Sequence, residues 1–290
     1  MPWIRGANLG VVRESRLDCA FGKIGDTMKY CRFQTDSGPQ YGEVVDRNGT
    51  LWIERLLPPF EEDPWTRFAG ATIDPLPLER ATLLPPVVPS KIVCIGRNYR
   101  EHAAELGNEV PKEPLIFLKP PSSLITHKQE IHIPAISQHV DFEGELAVVI
   151  GKRCSKIGPD ENVRQYIRGY TIVNDVTARD LQKSDGQWSR AKGFDTFCPV
   201  GPLVTDEINP EAGINVQTRL NGNLKQDGST RDLIFPIAHL LRHISAAMTL
   251  YPGDLIPTGT PSGVAPMQPG DTVEVTIEGI ATLSNPVAVG

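Results

Sequence analysis

The 290-residue chain is 40% hydrophobic and 22% charged, with a formal net charge of -6 and a pI near 5.6. That is enough apolar material for one sizeable core, or for a main domain with a small appended one. The charge balance shows neither the basic surplus nor the basic stripe that a nucleic-acid partner requires, and no apolar run reaches the roughly 18 residues of a membrane span.

Residues 1–27 lack the apolar h-region of a secretory signal and show little periodicity. They are expected to be a disordered extension or to precede the true start at Met28, with a basic organelle-targeting segment as the alternative. Short strands are predicted over 28–34, 40–46 and 50–56, separated by Gly, Asp and Asn turns. The Pro-rich stretch from Leu56 to Pro89 reads as a surface linker, which completes a small β-rich N-terminal module over 28–85. The main domain, 86–290, opens with a buried strand over 91–96 and a short helix from Asn98 to Leu106, capped by Gly107. Further strands are expected over 115–120, 142–150, 169–176 and 272–277. A hairpin is read around Asn221-Gly222 and one long amphipathic helix from Asp232 to Met248. Strands dominate without regular alternation with helices, so the fold class is α+β and β-rich.

The strongest chemical signal is Glu143-Gly144-Glu145 at the head of LAVVI. Residues two apart on a strand share a face, so both carboxylates project together and repel unless a cation sits between them. Asp175 ends a second apolar strand, where an unpaired carboxylate is costly to bury. Three carboxylates without Cys or His suit Mg²⁺ or Mn²⁺ over zinc; the plainer reading is three strand-end surface groups. His102 and Glu105, three apart on one helical turn, make either a base with its orienting carboxylate or a solvated pair worth about 0.2–0.5 kcal/mol. Arg97 precedes them in a loop after a buried strand. Lys192, in the Gly-containing RAKGFDTF, is either an ammonium aimed at developing negative charge or a surface lysine. Arg179 and Gln182 follow Asp175 on one side of the chain. Thr260, in TGTP, sits either in a carboxylate-binding loop or in an ordinary turn. Residues 183–190 are expected to form a lid, with Gly186 for mobility and Trp188 as an apolar cover.

Other signals are weaker. His127, His132, His139, His239 and His243 are scattered, and no glutamate follows His239 in HExxH order. No GxGxxG, P-loop or GxSxG sequence is present. Five cysteines, Cys19, Cys31, Cys94, Cys154 and Cys198, form no CxxC pair, so reduced thiols in a cytoplasmic protein are expected.

Taken in order, CIGRNYREHAAE, KPPSSL, DFEGELAVVIGK, NDVTARDLQ, QWSRAKGFDTFCPVGP, LNGNLKQDGST and GDLIPTGTPSGV resemble the fumarylacetoacetate hydrolase family, over about two-thirds of the chain from Lys91 onward. The likeness is to the branch of acylpyruvate hydrolases, oxaloacetate decarboxylase-tautomerases and homocatechuate-pathway isomerase-decarboxylases. It implies a β-roll-like main domain, a homodimer and one divalent cation per subunit, Mg²⁺ or Mn²⁺. By position, Glu143, Glu145 and Asp175 match the family's metal carboxylates, His102 and Glu105 its base dyad, and Lys192 its enolate-stabilising lysine. Arg179, Gln182 and Thr260 match positions near the bound 2-oxo acid, and Arg97 is placed with them. The expected reaction is C–C hydrolysis of an acylpyruvate-type 2,4-dioxo acid, with oxaloacetate decarboxylation or tautomerisation, or 2-hydroxy-diene-dioate isomerisation, as alternatives.

Overall fold

The computed structural model describes residues 28–57, 72–105, 107 and 109–290. The extension expected over 1–27 lies outside these residues, as does 58–71 of the expected linker. From one edge, the main sheet runs Thr72–Pro77, Thr50–Leu57, Gly38–Arg47, Lys29–Thr35, Cys198–Thr205, Ile167–Asn174, Gly144–Ile150, Leu255–Pro257, Ile92–Gly96 and Leu115–Lys119. Short strands Leu83–Leu84 and Leu124–Ile125 attach to Lys29–Thr35 and Cys198–Thr205. A five-stranded sheet (Asn223–Ser229, Asn215–Leu220, Thr272–Ile277, Ala281–Val289, Ile131–Ile133) packs beside it, with the helix Ile237–Ala247. This is the β-rich α+β architecture read from the sequence, with its N-terminal β module.

Both faces of the Gly144–Ile150 strand are buried, which is why its sequence is almost continuously apolar. Leu146, Val148 and Ile150 join Leu240, Leu241 and Ile244 of the long helix and Val216 and Val275 of the second sheet. Ala147 and Val149 point the other way, toward Ile92, Cys94, Val173, Val200 and Leu255. Each large aliphatic side chain buried this way contributes about 1.5–3 kcal/mol. Gly144 is required by this packing: a Cβ there would lie 2.9 Å from Val275 Cγ1 and closer still to Thr218 Oγ1. Gly144→Ala is therefore expected to destabilise the protein by about 1–3 kcal/mol. Denaturant unfolding measures this, and an unchanged midpoint would contradict it.

Three differences from the sequence reading have physical causes. The expected linker contributes Thr72–Pro77 as an edge strand, where Pro75 and Pro77 need no ladder N–H. The long helix starts at Ile237 and not Asp232, because Pro236 disfavours helical backbone at Phe235. The short helix is Arg100–Glu105; Asn98 stays outside it, with Nδ2 donating to the carbonyls of Thr258 and Phe235 and Oδ1 accepting from Phe235 N–H. The Asn221-Gly222 turn joins Asn215–Leu220 to Asn223–Ser229, with φ of 52° and 78° as a type I′ turn requires. Cys31, Cys94, Cys154 and Cys198 are free and buried.

Candidate active site

The ends of two neighbouring strands build the acidic centre. Gly144 pairs with Asn174 and Glu145 with Val173, and Asp175 N–H donates to the Glu143 carbonyl at 2.8 Å. Glu143, Glu145 and Asp175 are all buried, and one oxygen from each lies within 4.8 Å of the others. A buried all-oxygen donor set of this kind fits a hard divalent cation.

Cations surround two of the three carboxylates. Lys192 Nζ donates at 2.7 Å to both Glu143 Oε2 and Asp175 Oδ2. Lys119 Nζ donates to Asp175 Oδ1 at 2.7 Å, and Arg179 donates to Glu143 Oε1 at 2.6 Å and to Asp141 Oδ2 at 2.9 Å. Burial alone would raise the Glu143 carboxyl, but Lys192 and Arg179 outweigh it and hold Glu143 well below the usual carboxylate range. Burial pulls Lys192 down, and the charges of Asp175 and Glu143 more than reverse this, so its ammonium stays charged. Glu145 differs. Its Oε2 accepts only from Gly259 N–H at 2.8 Å, and among the described residues no cationic side chain pairs with it. Burial, then the charges of Asp175 and Glu143, push its carboxyl well above the usual range. A divalent cation relieves that repulsion. Mn²⁺ at 100 times its dissociation constant is expected to stabilise the protein by about 2.7 kcal/mol; a thermal midpoint unmoved by Mn²⁺ and EDTA would contradict the assignment.

Glu143 and Glu145 open into a cavity of about 560 Å³ that also holds Arg97, His102, Glu105, Arg179, Gln182, Lys192 and Thr260. The sequence-predicted set is thus brought together, with Asp175 directly behind it at 0% exposure. His102 is buried at the cavity wall, its Nδ1 3.3 Å from Glu105 Oε2, while Glu105 Oε1 accepts from Gly263 N–H at 3.0 Å. Arg179 also donates to Gln182 Oε1 at 2.9 Å. The Thr260 hydroxyl is already engaged, donating to the Gly144 carbonyl at 2.9 Å and accepting from Gln226 at 2.7 Å, so it fixes the loop against the acidic strand. The segment read as a lid is two short helices, Arg179–Asp185 and Ser189–Lys192, joined through Gly186 at φ 69°. Trp188 covers the cavity from this turn, edge-on to Phe117 with ring centres 5.3 Å apart.

Lys119 and Asp141 escape the sequence reading, which sets His139 aside among the scattered histidines. Lys119 ends the apolar strand Leu115–Lys119 and is fully buried, so the burial cost that singles out Asp175 applies equally to it. His139 lies at the cavity mouth, its Nε2 2.8 Å from Asp141 Oδ1. No local pattern marks it.

A profile described as "Fumarylacetoacetate (FAA) hydrolase C-terminal" matches residues 91–288, and one described as "Rv2993c-like, N-terminal" matches 28–86. An oxaloacetate tautomerase of Bacillus subtilis is 46% identical over 213 residues, covering 69% of this chain and 70% of the relative. The crystal structure of 2-hydroxyhepta-2,4-diene-1,7-dioate isomerase from Mycobacterium marinum superposes with a TM-score of 0.79 at 42% identity, over 90% of this chain and 98% of that one. The fumarylpyruvate hydrolase of Pseudomonas aeruginosa, solved with Mn²⁺ and pyruvate, has a TM-score of 0.66 at 30% identity, over 72% and 92% of the two chains. With its profile match, its fold and a buried acidic centre beside a His–Glu pair, this chain belongs to the fumarylacetoacetate hydrolase family of enzymes.

Proposed function

We propose that the enzyme hydrolyses a C–C bond in an acylpyruvate-type 2,4-dioxo acid, with Mg²⁺ or Mn²⁺ held by Glu143, Glu145 and Asp175. The observation that carries this reading is that His102–Glu105 and Lys192 face one cavity together with Glu143 and Glu145. When bound, the cation supplies Lewis-acid polarisation of the 2-oxo group and its neighbouring carboxylate. His102 removes a proton from water through Nε2, since Nδ1 faces Glu105, whose charge stabilises the imidazolium formed. The water oxygen adds to the C4 carbonyl. The C3–C4 bond then breaks, and its electron pair remains on the pyruvate fragment as an enolate. Lys192 faces that developing charge, an interaction that strengthens only as the bond breaks. Protonation at C3 completes pyruvate, and the acyl half leaves as a carboxylic acid. Arg179 and Gln182 orient the substrate carboxylate, and Trp188 keeps bulk water out. A cytoplasmic homodimer, without membrane or nucleic-acid partners, is proposed as the working assembly.

The second reading is decarboxylation or tautomerisation of oxaloacetate, or isomerisation of a 2-hydroxy-diene-dioate, on the same site. The identity to an oxaloacetate tautomerase favours it. Turnover of acetylpyruvate and oxaloacetate side by side with Mg²⁺, Mn²⁺ and EDTA, corrected for the metal's own decarboxylation, separates the two. Metal-dependent loss of acetylpyruvate supports hydrolysis; activity confined to oxaloacetate transfers the enzyme to the second reading.

A further inference from the structure

The strand that leads from Glu143 and Glu145 loses one neighbour before it reaches them. On one side Gly144–Ile150 pairs with Ile167–Asn174, and there Glu143 N–H donates to Asn174 Oδ1 at 2.9 Å while its carbonyl accepts from Asp175 N–H at 2.8 Å. On the other side the ladder with Leu255–Pro257 stops at Ala147, opposite Pro257; beyond it Thr258 N–H still reaches the Leu146 carbonyl at 3.0 Å. Successive residues of a strand turn their backbone N–H and C=O to alternate sides. Those of Gly144 therefore face the side where the partner strand has ended, and two buried main-chain groups left unpaired there would be costly.

Two side chains take the place of the missing strand. Gln226 Oε1 accepts from Gly144 N–H at 3.0 Å, and the Thr260 hydroxyl donates to the Gly144 carbonyl at 2.9 Å. Gln226 Nε2 closes the circuit, donating to Thr260 Oγ1 and to the Pro261 carbonyl, both at 2.7 Å. Gly144 offers a donor and Pro261 an acceptor, and a carboxamide answers both with one neutral group. Gln226 is fully buried and comes from the second sheet, where it stands opposite Thr218 in the hairpin of Asn215–Leu220 and Asn223–Ser229. The same hairpin backs the loop again at Gly263, whose φ is 98° and where a Cβ would overlap the Lys225 carbonyl. That loop also reaches two site carboxylates directly, through Gly259 N–H on Glu145 Oε2 at 2.8 Å and Gly263 N–H on Glu105 Oε1 at 3.0 Å.

We propose that Gln226 is a positioning residue of the active site. From the second sheet it fixes the backbone between Glu143 and Glu145 together with the loop 259–263, which sets the two carboxylates for the cation and Glu105 against His102. Gln226 does not line the cavity, so it acts through Gly144 and Thr260 and touches no substrate. This rests on the reading that Glu143, Glu145 and Asp175 hold the cation.

Gln226→Met removes the circuit at nearly constant side-chain length. Calorimetric titration of the full-length, metal-free protein with Mn²⁺ is expected to show affinity roughly 10- to 100-fold lower than wild type, the range for losing a group that orients a metal ligand. Hydrogen exchange in EDTA is the second readout. Residues 143–146 and 259–263 are expected to lose protection while the strand Thr272–Ile277 keeps its own. Thr260→Val opens the same circuit from the loop side and is expected to weaken Mn²⁺ comparably; Thr260→Ser, which keeps the hydroxyl, is expected to restore it. Should Gln226→Met not fold, the Thr260 pair decides alone. Wild-type Mn²⁺ affinity in Gln226→Met or Thr260→Val, equal losses in Thr260→Ser and Thr260→Val, or exchange that spreads through Thr272–Ile277 overturns the proposal and leaves the metal reading standing. A wild-type protein that binds no Mn²⁺ overturns the metal reading and the proposal with it.

Discussion

Glu145→Gln is expected to remove metal-dependent activity and, at the same time, to make the metal-free protein more stable. The two effects share one cause. Glu145 is buried against Glu143 and Asp175 without a cation of its own, so its charge is costly until a divalent cation arrives. Glutamine keeps the shape and the acceptor for Gly259 N–H while removing the repulsion. Losing an outer-sphere partner of a metal ligand typically costs 10–100-fold in affinity. Losing a ligand carboxylate is therefore expected to lower Mn²⁺ affinity and kcat/KM by more than about 100-fold. Calorimetric Mn²⁺ titration and thermal melts in EDTA read the two arms separately. A variant that binds Mn²⁺ normally, or that melts lower than wild type in EDTA, would show that Glu145 has a structural role.

Glu105→Gln is expected to divide the candidate reactions. Glutamine's single amide oxygen can still accept from Gly263 N–H, so the turn is retained, but an NH₂ donor then faces His102 Nδ1 in place of the acceptor oxygen; what disappears is the negative charge that stabilises the His102 imidazolium. General-base catalysis typically contributes about 10²–10⁴-fold, and acetylpyruvate hydrolysis should fall by that order in kcat. Oxaloacetate decarboxylation needs no water nucleophile and should fall far less. His102→Ala should reproduce the pattern more severely, since it removes the base itself. Equal losses on both substrates would mean that the dyad moves a proton common to both reactions, and that water activation is not its particular role.

Much of this site is legible in the sequence because its chemistry is local. Glu143 and Glu145 share a face through strand periodicity alone, Asp175 is conspicuous as a carboxylate after an apolar strand, and His102 with Glu105 needs one helical turn. The fold class was legible for a similar reason, since strands such as Gly144–Ile150 and Thr272–Ile277 carry compact apolar runs or clean alternation. What escaped depends on pairing between distant segments. The edge strand Thr72–Pro77 forms because Thr50–Leu57 offers it a ladder, and its prolines argue for a linker when read alone. Lys119 looks like a strand-end lysine until Asp175, 56 residues on, is seen 2.7 Å away.

The most direct test of the whole account is a Mn²⁺-soaked crystal examined by anomalous diffraction at the manganese edge, with oxalate as a bidentate stand-in for the 2-oxo acid. A single anomalous peak ligated by Glu143, Glu145 and Asp175, with oxalate facing Lys192 and His102 across the same cavity, is the predicted result. Manganese bound elsewhere, or a triad still closed around Lys192 at saturating Mn²⁺, would contradict the claim that these carboxylates form the metal centre of the enzyme.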